Sequence, residues 1–356
     1  MKSYFEIPAG VELVTPPPPA RFDPAVLDAG VLAAVGHTPL VPLRGGGRNG
    51  LKVYAKLEGL NPGGSAKDRP ALGILRRGVE TGAIRPGTVV VESSSGNMGI
   101  GLAQACRYLE LRFVCVVDAR TTTQHIRILR AYGAEVDVVR HPDPESGEFL
   151  PARLRRVREL LELHPHSFWP DQFANEGNPA AHRTGTMREI AAELDGEVDY
   201  VFCATSTCGT LRGCAELIRE EGLSTRVVAV DALGSVIFGG PPAERIIPGF
   251  GSGLMPALLQ PGLADRQVHV TNLDCVVGCR RLAHREALLV GGSSGGVYTA
   301  FERMRGELPE GSTCALVFCD RGERYLETIF SDEWVTERFG DVSHLWRANE
   351  RNVSWS

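Results

Sequence analysis

Several absences narrow what this 356-residue chain does. It has no basic excess: 38 Lys and Arg stand against 43 Asp and Glu, a formal net charge of -5, so it lacks the electrostatic footprint of a nucleic-acid binder. No uninterrupted apolar run approaches the ~20 residues that cross a bilayer, and the opening MKSYFEIPAG shows no basic segment followed by an apolar stretch. A cytoplasmic protein that binds neither membrane nor nucleic acid is expected. The nine cysteines include no Cys-x-x-Cys pair and no zinc-ribbon spacing, which argues against a metal site and for reduced thiols in the core. There is no internal repeat, no low-complexity linker and no P-loop.

What is present is an ordinary globular balance, 43% apolar and 23% charged, in a chain longer than one compact core usually holds. Small-molecule chemistry in two lobes is the expectation. The first ~30 residues, with a Pro16 to Pro19 run that cannot pair into a sheet, read as an N-terminal arm. From Leu51, short β-branched runs alternate with helical periodicity: KVYAKLE, ALGILRRGVETG, TVVVESSS, MGIGLAQACRYLE, RFVCVVDA. The alternation returns as DYVFCATS, TLRGCAELIREEG, RVVAVDA, GVYTAFERMRGEL and STCALVFCD. Strand–helix alternation predicts α/β architecture with parallel sheets, and the last run a fully buried strand. The glycine-rich stretch from Gly239 to Gly253 is a loop able to cover a cleft.

Four segments carry candidate chemistry. Asn61 to Arg69, NPGGSAKDR, runs a turn into a helix and leaves Lys67 at its start, where the positive helix end disfavours an ammonium and favours the neutral amine of imine chemistry; a solvated surface lysine is the plainer alternative. Glu92 to Gly99, ESSSGNMG, ends a strand in hydroxyls and glycines and offers backbone N–H groups to a carboxylate, or is simply a capped strand–helix turn. Ser206-Thr207-Cys208-Gly209-Thr210 follows the strand YVFCA and suits a phosphate. Gly291 to Gly296, GGSSGG, is read alone as a glycine turn.

Taken together and in this order, the four segments resemble the fold-type II pyridoxal-phosphate enzymes, specifically the cysteine synthase and cystathionine β-synthase group. The resemblance runs from about Ala34, through Gly36-His37-Thr38-Pro39-Leu40, to about Phe339, and includes IPGFGSG at 247 to 253 and DRGERYL at 320 to 326. It implies two three-layer αβα lobes with mostly parallel sheets. The larger, cofactor-binding lobe would take residues 31–60 and 180–340, the smaller mobile lobe 61–179, and 341–356 would form a tail. It further implies pyridoxal 5'-phosphate held as a Schiff base by Lys67, with Asn97 on its phenolic oxygen. Ser206 to Thr210 would cup the phosphate and Ser293 would face the pyridine nitrogen; Ser94, Ser95, Gly96 and Gln172 would hold the substrate carboxylate. A homodimer is implied by the family.

The implied reaction is β-replacement on an O-activated L-serine through an aminoacrylate, with Lys67 moving the Cα proton. The sequence departs from ordinary cysteine synthases: the Asn97 loop lacks their Pro-Thr-Ser opening, and Ser206-Thr207-Cys208 stands where Gly-Thr-Gly is usual. With VDALGSVIFG at 230 to 239 and the CDRGERYLETIFSD ending, these changes look like the diaminopropionate-forming branch, whose synthases join O-phospho-L-serine to the amine of L-glutamate. Such an acceptor needs a cation in the cleft. Arg153 is the candidate, against the reading of a solvated arginine beside Arg155, Arg156 and Arg158, and Phe173 is the candidate pocket wall. The rivals are a cysteine synthase or O-phosphoserine sulfhydrylase using sulfide, a cystathionine β-synthase, and a catalytically silent regulatory protein.

Overall fold

The computed structural model describes residues 21–44 and 49–347; the Pro16 to Pro19 run lies outside them. Among the described residues, ten strands form two sheets. Strands β1 (Leu40–Pro42), β2 (Lys52–Leu57), β7 (Tyr200–Ala204), β8 (Arg226–Ala232), β9 (Arg266–Val270) and β10 (Thr313–Phe318) make a six-stranded sheet in the order β1-β2-β10-β7-β8-β9. Only β1 runs antiparallel to its neighbour. Strands β3 (Val89–Ser93), β4 (Arg112–Asp118), β5 (Glu135–Val139) and β6 (Ser167–Phe168) make a four-stranded, wholly parallel sheet in the order β5-β4-β3-β6.

The helices are α1 (Asp68–Glu80), α2 (Asn97–Tyr108), α3 (Thr123–Ala131), α4 (Phe149–Leu163), α5 (Gly177–Ala181), α6 (Arg188–Glu193), α7 (Gly209–Glu221), α8 (Asn272–Glu286), α9 (Gly292–Met304), α10 (Asp332–Phe339) and α11 (His344–Arg347). A wider turn of π geometry over His182–Met187 joins α5 to α6. Both faces of each sheet are covered, which is why the strands read as continuous apolar runs rather than alternating ones. All six residues of β10 are buried. On the large sheet, α8 and α9 pack one face through Val276, Leu282, Val297 and Phe301, and α7 packs the other through Leu211, Leu217 and Ile218. On the small sheet, α1 and α2 cover one face through Ile74, Leu75, Ile100 and Leu102, and α4 covers the other through Val157 and Leu160.

Residues 24–34 straddle the expected boundary at 30 between arm and larger lobe, and Leu27 and Leu32 are buried in the core of the small sheet against α1 and α2. The nine cysteines are free thiols, eight of them buried, as their spacing suggests. No described helix is long and apolar enough to cross a membrane. Among the described residues no group of His, Cys, Asp or Glu is arranged to hold a metal.

The two sheets are joined through a buried charge cluster at the start of α1. Arg69 donates from Nε and Nη2 to Glu58 at 2.7 and 2.8 Å and from Nη1 and Nη2 to Glu189 at 2.6 and 2.7 Å. Lys56, fully buried on β2, meets Glu189 at 2.9 Å and Glu193 at 2.8 Å. Burying charge is costly, and these ions are tolerated because nearly every donor finds an acceptor. The neighbouring carboxylates hold the Arg69 guanidinium above its ordinary range despite its burial. The consequence is positional: the start of α1, and Lys67 with it, is fixed to the larger sheet.

Candidate active site

A cavity of about 610 Å³ opens between the two sheets, and its walls come mainly from loops at the carboxyl ends of β3, β4, β7 and β10. Open parallel sheets bind ligands there because strand ends and helix starts converge at the same edge. Every residue singled out from the sequence lines this one cavity: Lys67, Ser94, Ser95, Gly96, Asn97, Arg153, Gln172, Phe173, Ser206 to Thr210, and Ser293. Their clustering supports a shared site, because chance placement would scatter them over two lobes.

Lys67 sits immediately before α1 and is the only lysine of the lining among the described residues. Asn61 and the Gly63–Asp68 contact shape the turn that delivers it. Asn61 donates to Glu58, and Asp68 accepts from the Gly63 amide. Asp68 is buried beside it, and that burial pushes its carboxyl up to about 7.

The loop after β3 closes on itself. Ser94 Oγ accepts from the amides of Gly99 at 2.9 Å and Gly96 at 3.3 Å, so this hydroxyl holds the loop's shape. Behind it, fully buried Glu92 accepts from the Ser93 amide at 2.7 Å and the Gln172 amide at 3.3 Å, while Gln172 Nε2 donates to the Ser93 carbonyl at 3.2 Å. Burial pushes the Glu92 carboxyl up to about 8. The neutral acid therefore ties Gln172 to the loop without placing a negative charge beside it.

The loop after β7 begins α7. Cys208 has φ +65°, an uncommon left-handed conformation for a side-chain-bearing residue, and turns the chain so that α7 starts at Gly209. A Cβ on Gly209 would lie 1.9 Å from Asn178 Oδ1, so only glycine fits. Asn178 in turn donates to the Gln172 carbonyl at 2.8 Å and Thr207 Oγ1 at 3.2 Å. Arg212, the cation nearest in sequence, is engaged by Glu176 and Glu216. The loop thus presents the amides of a helix start and small hydroxyls, a setting suited to a phosphate.

Across the cleft, Asp320, Arg324 and Tyr325 follow β10. Asn97 donates to Asp320 Oδ2 at 2.9 Å, Tyr325 donates to the same oxygen at 2.6 Å, and Arg324 donates to Asn97 Oδ1 and the Gly63 carbonyl. The Asn97 amide is therefore oriented by the segment that follows β10. Burial raises the Asp320 carboxyl, opposed by these donors, and raises the Tyr325 hydroxyl. Ser293 begins α9 within hydrogen-bonding reach of the Cys319 thiol, which burial pushes up to about 11.

Arg153 lies on α4 with its side chain 12% exposed and Asp118 at 3.3 Å, and the Glu92 carboxyl also acts on it. Its Nε makes no hydrogen bond, and burial lowers the stability of its charge. Arg153 lines the cavity with most of its side chain covered, where the sequence placed it at the cleft mouth, and it is not freely solvated. The cavity-lining polar residues that sequence reasoning passed over are Asp118, Arg120, His125, Arg245 and the Asp320–Arg324–Tyr325 group. DRGERYL following a fully buried strand was a signal for the last group; for the others the signal, hydroxyls and a histidine opening a helix after RFVCVVDA, is weak.

The residues fit one group. A lysine at a helix start, a phosphate-sized cradle opposite and a hydroxyl-lined third wall define a carbonyl-cofactor enzyme of the pyridoxal-phosphate class. The chain belongs to the pyridoxal-phosphate dependent enzyme family, whose model matches residues 31–320. It is 43% identical over 307 residues to N-(2-amino-2-carboxyethyl)-L-glutamate synthase of Ralstonia nicotianae, covering 86% of this chain and 90% of that one. It is 42% identical over 309 residues to the enzyme of the same name from Cupriavidus metallidurans, with the same coverage. Among solved structures, O-ureido-L-serine synthase superposes with a TM-score of 0.78 at 31% identity, over 85% of this chain and 97% of that one. The O-acetylserine dependent cystathionine β-synthase of Helicobacter pylori does so with a TM-score of 0.78 at 32% identity, over 84% and 97%. The protein is a pyridoxal-phosphate dependent enzyme of amino-acid biosynthesis, and its α/β fold with two mostly parallel sheets is that of this family.

Proposed function

We propose that the protein condenses O-phospho-L-serine with the α-amine of L-glutamate, releasing phosphate and forming N-(2-amino-2-carboxyethyl)-L-glutamate. Relatives of that printed name, 42–43% identical across 86% of the chain, carry this reading. The under-compensated Arg153 in the cavity supports an anionic acceptor in particular.

In this reading Lys67 holds the cofactor covalently, Asn97 contacts its phenolic oxygen, Ser206 to Thr210 take its phosphate and Ser293 faces its ring nitrogen. When bound, pyridoxal phosphate supplies the electron sink that stabilises negative charge at the substrate Cα. Ser95, Gly96 and Gln172 hold the donor's carboxylate, with Ser94 keeping their loop in shape. The freed Lys67 amine removes the Cα proton, the bond from Cβ to the phosphate oxygen breaks, and the glutamate nitrogen bonds to Cβ; Lys67 then returns a proton to Cα. Arg153 holds an acceptor carboxylate and Phe173 walls the pocket. The smaller lobe, residues 61–179, closes over the site and excludes water. A cytoplasmic homodimer is part of the same proposal.

The test is product mass from purified holoenzyme given O-phospho-L-serine with L-glutamate, and in parallel with sulfide, alongside the absorption spectrum. The conjugate mass and glutamate-dependent turnover are expected; cysteine formed from sulfide with no conjugate would make it a cysteine synthase. Lys67→Ala is expected to lose the lysine-bound cofactor band and lower turnover by at least ~10³-fold.

A further inference from the structure

L-Glutamate carries two carboxylates, and Arg153 accounts for one. The acceptor's reacting nitrogen is attached next to its α-carboxylate, so that group must lie deep, near Cβ of the donor, while the γ-carboxylate lies two methylenes further out. Arg153 is the deeper cation, nearly buried on α4. A second cation lies nearer the mouth. Arg120 follows β4, lines the same cavity and is exposed, and it forms no ion pair among the described residues. Its guanidinium lies over the Phe149 ring, 4.9 Å from the centroid, which limits its motion and leaves its donor edge free to meet a carboxylate.

The two arginines are built into one unit by Asp118. Its Oδ1 accepts from the Arg120 amide at 2.9 Å, and its Oδ2 faces Arg153 Nε at 3.3 Å. One carboxylate thus lies between two guanidinium-bearing residues, leaving the pair net positive toward the cavity. The start of α3 adds to this. Thr122 caps the helix by accepting from the His125 amide at 3.2 Å. His125 is itself 7% exposed, lines the cavity and has a buried Nε2 without a hydrogen-bonding partner. Burial and the nearby Arg324 hold its imidazole down at about 4, so it adds a neutral polar group and not a competing charge.

We infer that Arg120 is a specificity-determining residue that binds the γ-carboxylate of the L-glutamate acceptor at the start of α3, while Arg153 binds its α-carboxylate. This rests on the glutamate reading above. Phe149, under the Arg120 guanidinium, and Leu150 give the same cavity an apolar wall that suits the acceptor's two methylenes.

The test compares L-glutamate with L-glutamine, equal in length but neutral at the γ-position, as acceptors for holoenzyme and for Arg120→Gln, with O-phospho-L-serine and O-acetyl-L-serine as donors. Because Arg120 is exposed, the substitution does not threaten folding. The expected result is that Arg120→Gln lowers the glutamate-over-glutamine ratio of kcat/KM by about tenfold or more, mainly through the KM for glutamate, and that Arg120→Lys recovers part of it. An unchanged ratio overturns the inference. So does an unchanged ratio with a raised KM for O-phospho-L-serine but not for O-acetyl-L-serine, which would assign Arg120 to the leaving phosphate. If wild-type enzyme forms no conjugate with glutamate at all, it is the proposed function that fails.

Discussion

Glu92→Gln tests whether a neutral acid organises the substrate loop. Burial pushes the Glu92 carboxyl from its ordinary 4.5 to about 8, only partly offset by the Ser93 and Gln172 amides. In the unfolded chain it ionises near 4.5, so between those values the folded state holds a proton that the unfolded state has lost. Stability is then greatest below about pH 4.5 and falls as pH rises, by about 1.4 kcal/mol per pH unit, levelling off above about pH 8. The whole penalty at high pH is roughly 5 kcal/mol, an order-of-magnitude figure. Glutamine keeps the shape of the neutral acid and cannot ionise. Holoenzyme carrying Glu92→Gln should therefore gain roughly 2–3 kcal/mol on wild type between about pH 5.5 and about pH 7.5. Urea midpoints at several pH values in that range, taken in parallel for the two proteins, read this difference. Parallel curves would refute the reasoning, because they would mean that Glu92 is ionised in the folded protein or exposed to water.

Other outcomes follow from particular contacts. Arg69→Met removes the shared partner of buried Glu58 and half-buried Glu189, and should cost about 3–5 kcal/mol, read as a large fall in Tm of the holoenzyme; a change under about 1 kcal/mol would mean that Lys56 alone neutralises the cluster. Gly209→Ala would set a Cβ 1.9 Å from Asn178 Oδ1 and push Asn178 off Gln172 and Thr207. It should weaken pyridoxal phosphate at least about tenfold in a fluorescence titration, since small displacements at such a site are costly. Unaltered affinity would place the phosphate elsewhere.

The sequence by itself determined the alternation of strands and helices, because periodicity and turn residues are local properties and the buried strands are apolar from end to end. It also placed Lys67, the Ser94–Asn97 loop, Ser206 to Thr210 and Ser293 at strand–helix junctions, each a short segment with its own composition. It did not disclose β1, only three residues long, or β6, only two, nor that Leu27 and Leu32 pack into the small-sheet core. Tertiary structure alone decided what meets across the cleft. Asn97 and Asp320 touch although 223 residues apart, and Arg120, Arg153 and Asp118 form one unit from two separate elements. Those contacts depend on how the two sheets are set against each other, which the buried Lys56–Arg69–Glu58–Glu189 cluster fixes, and no local pattern in the chain encodes that geometry.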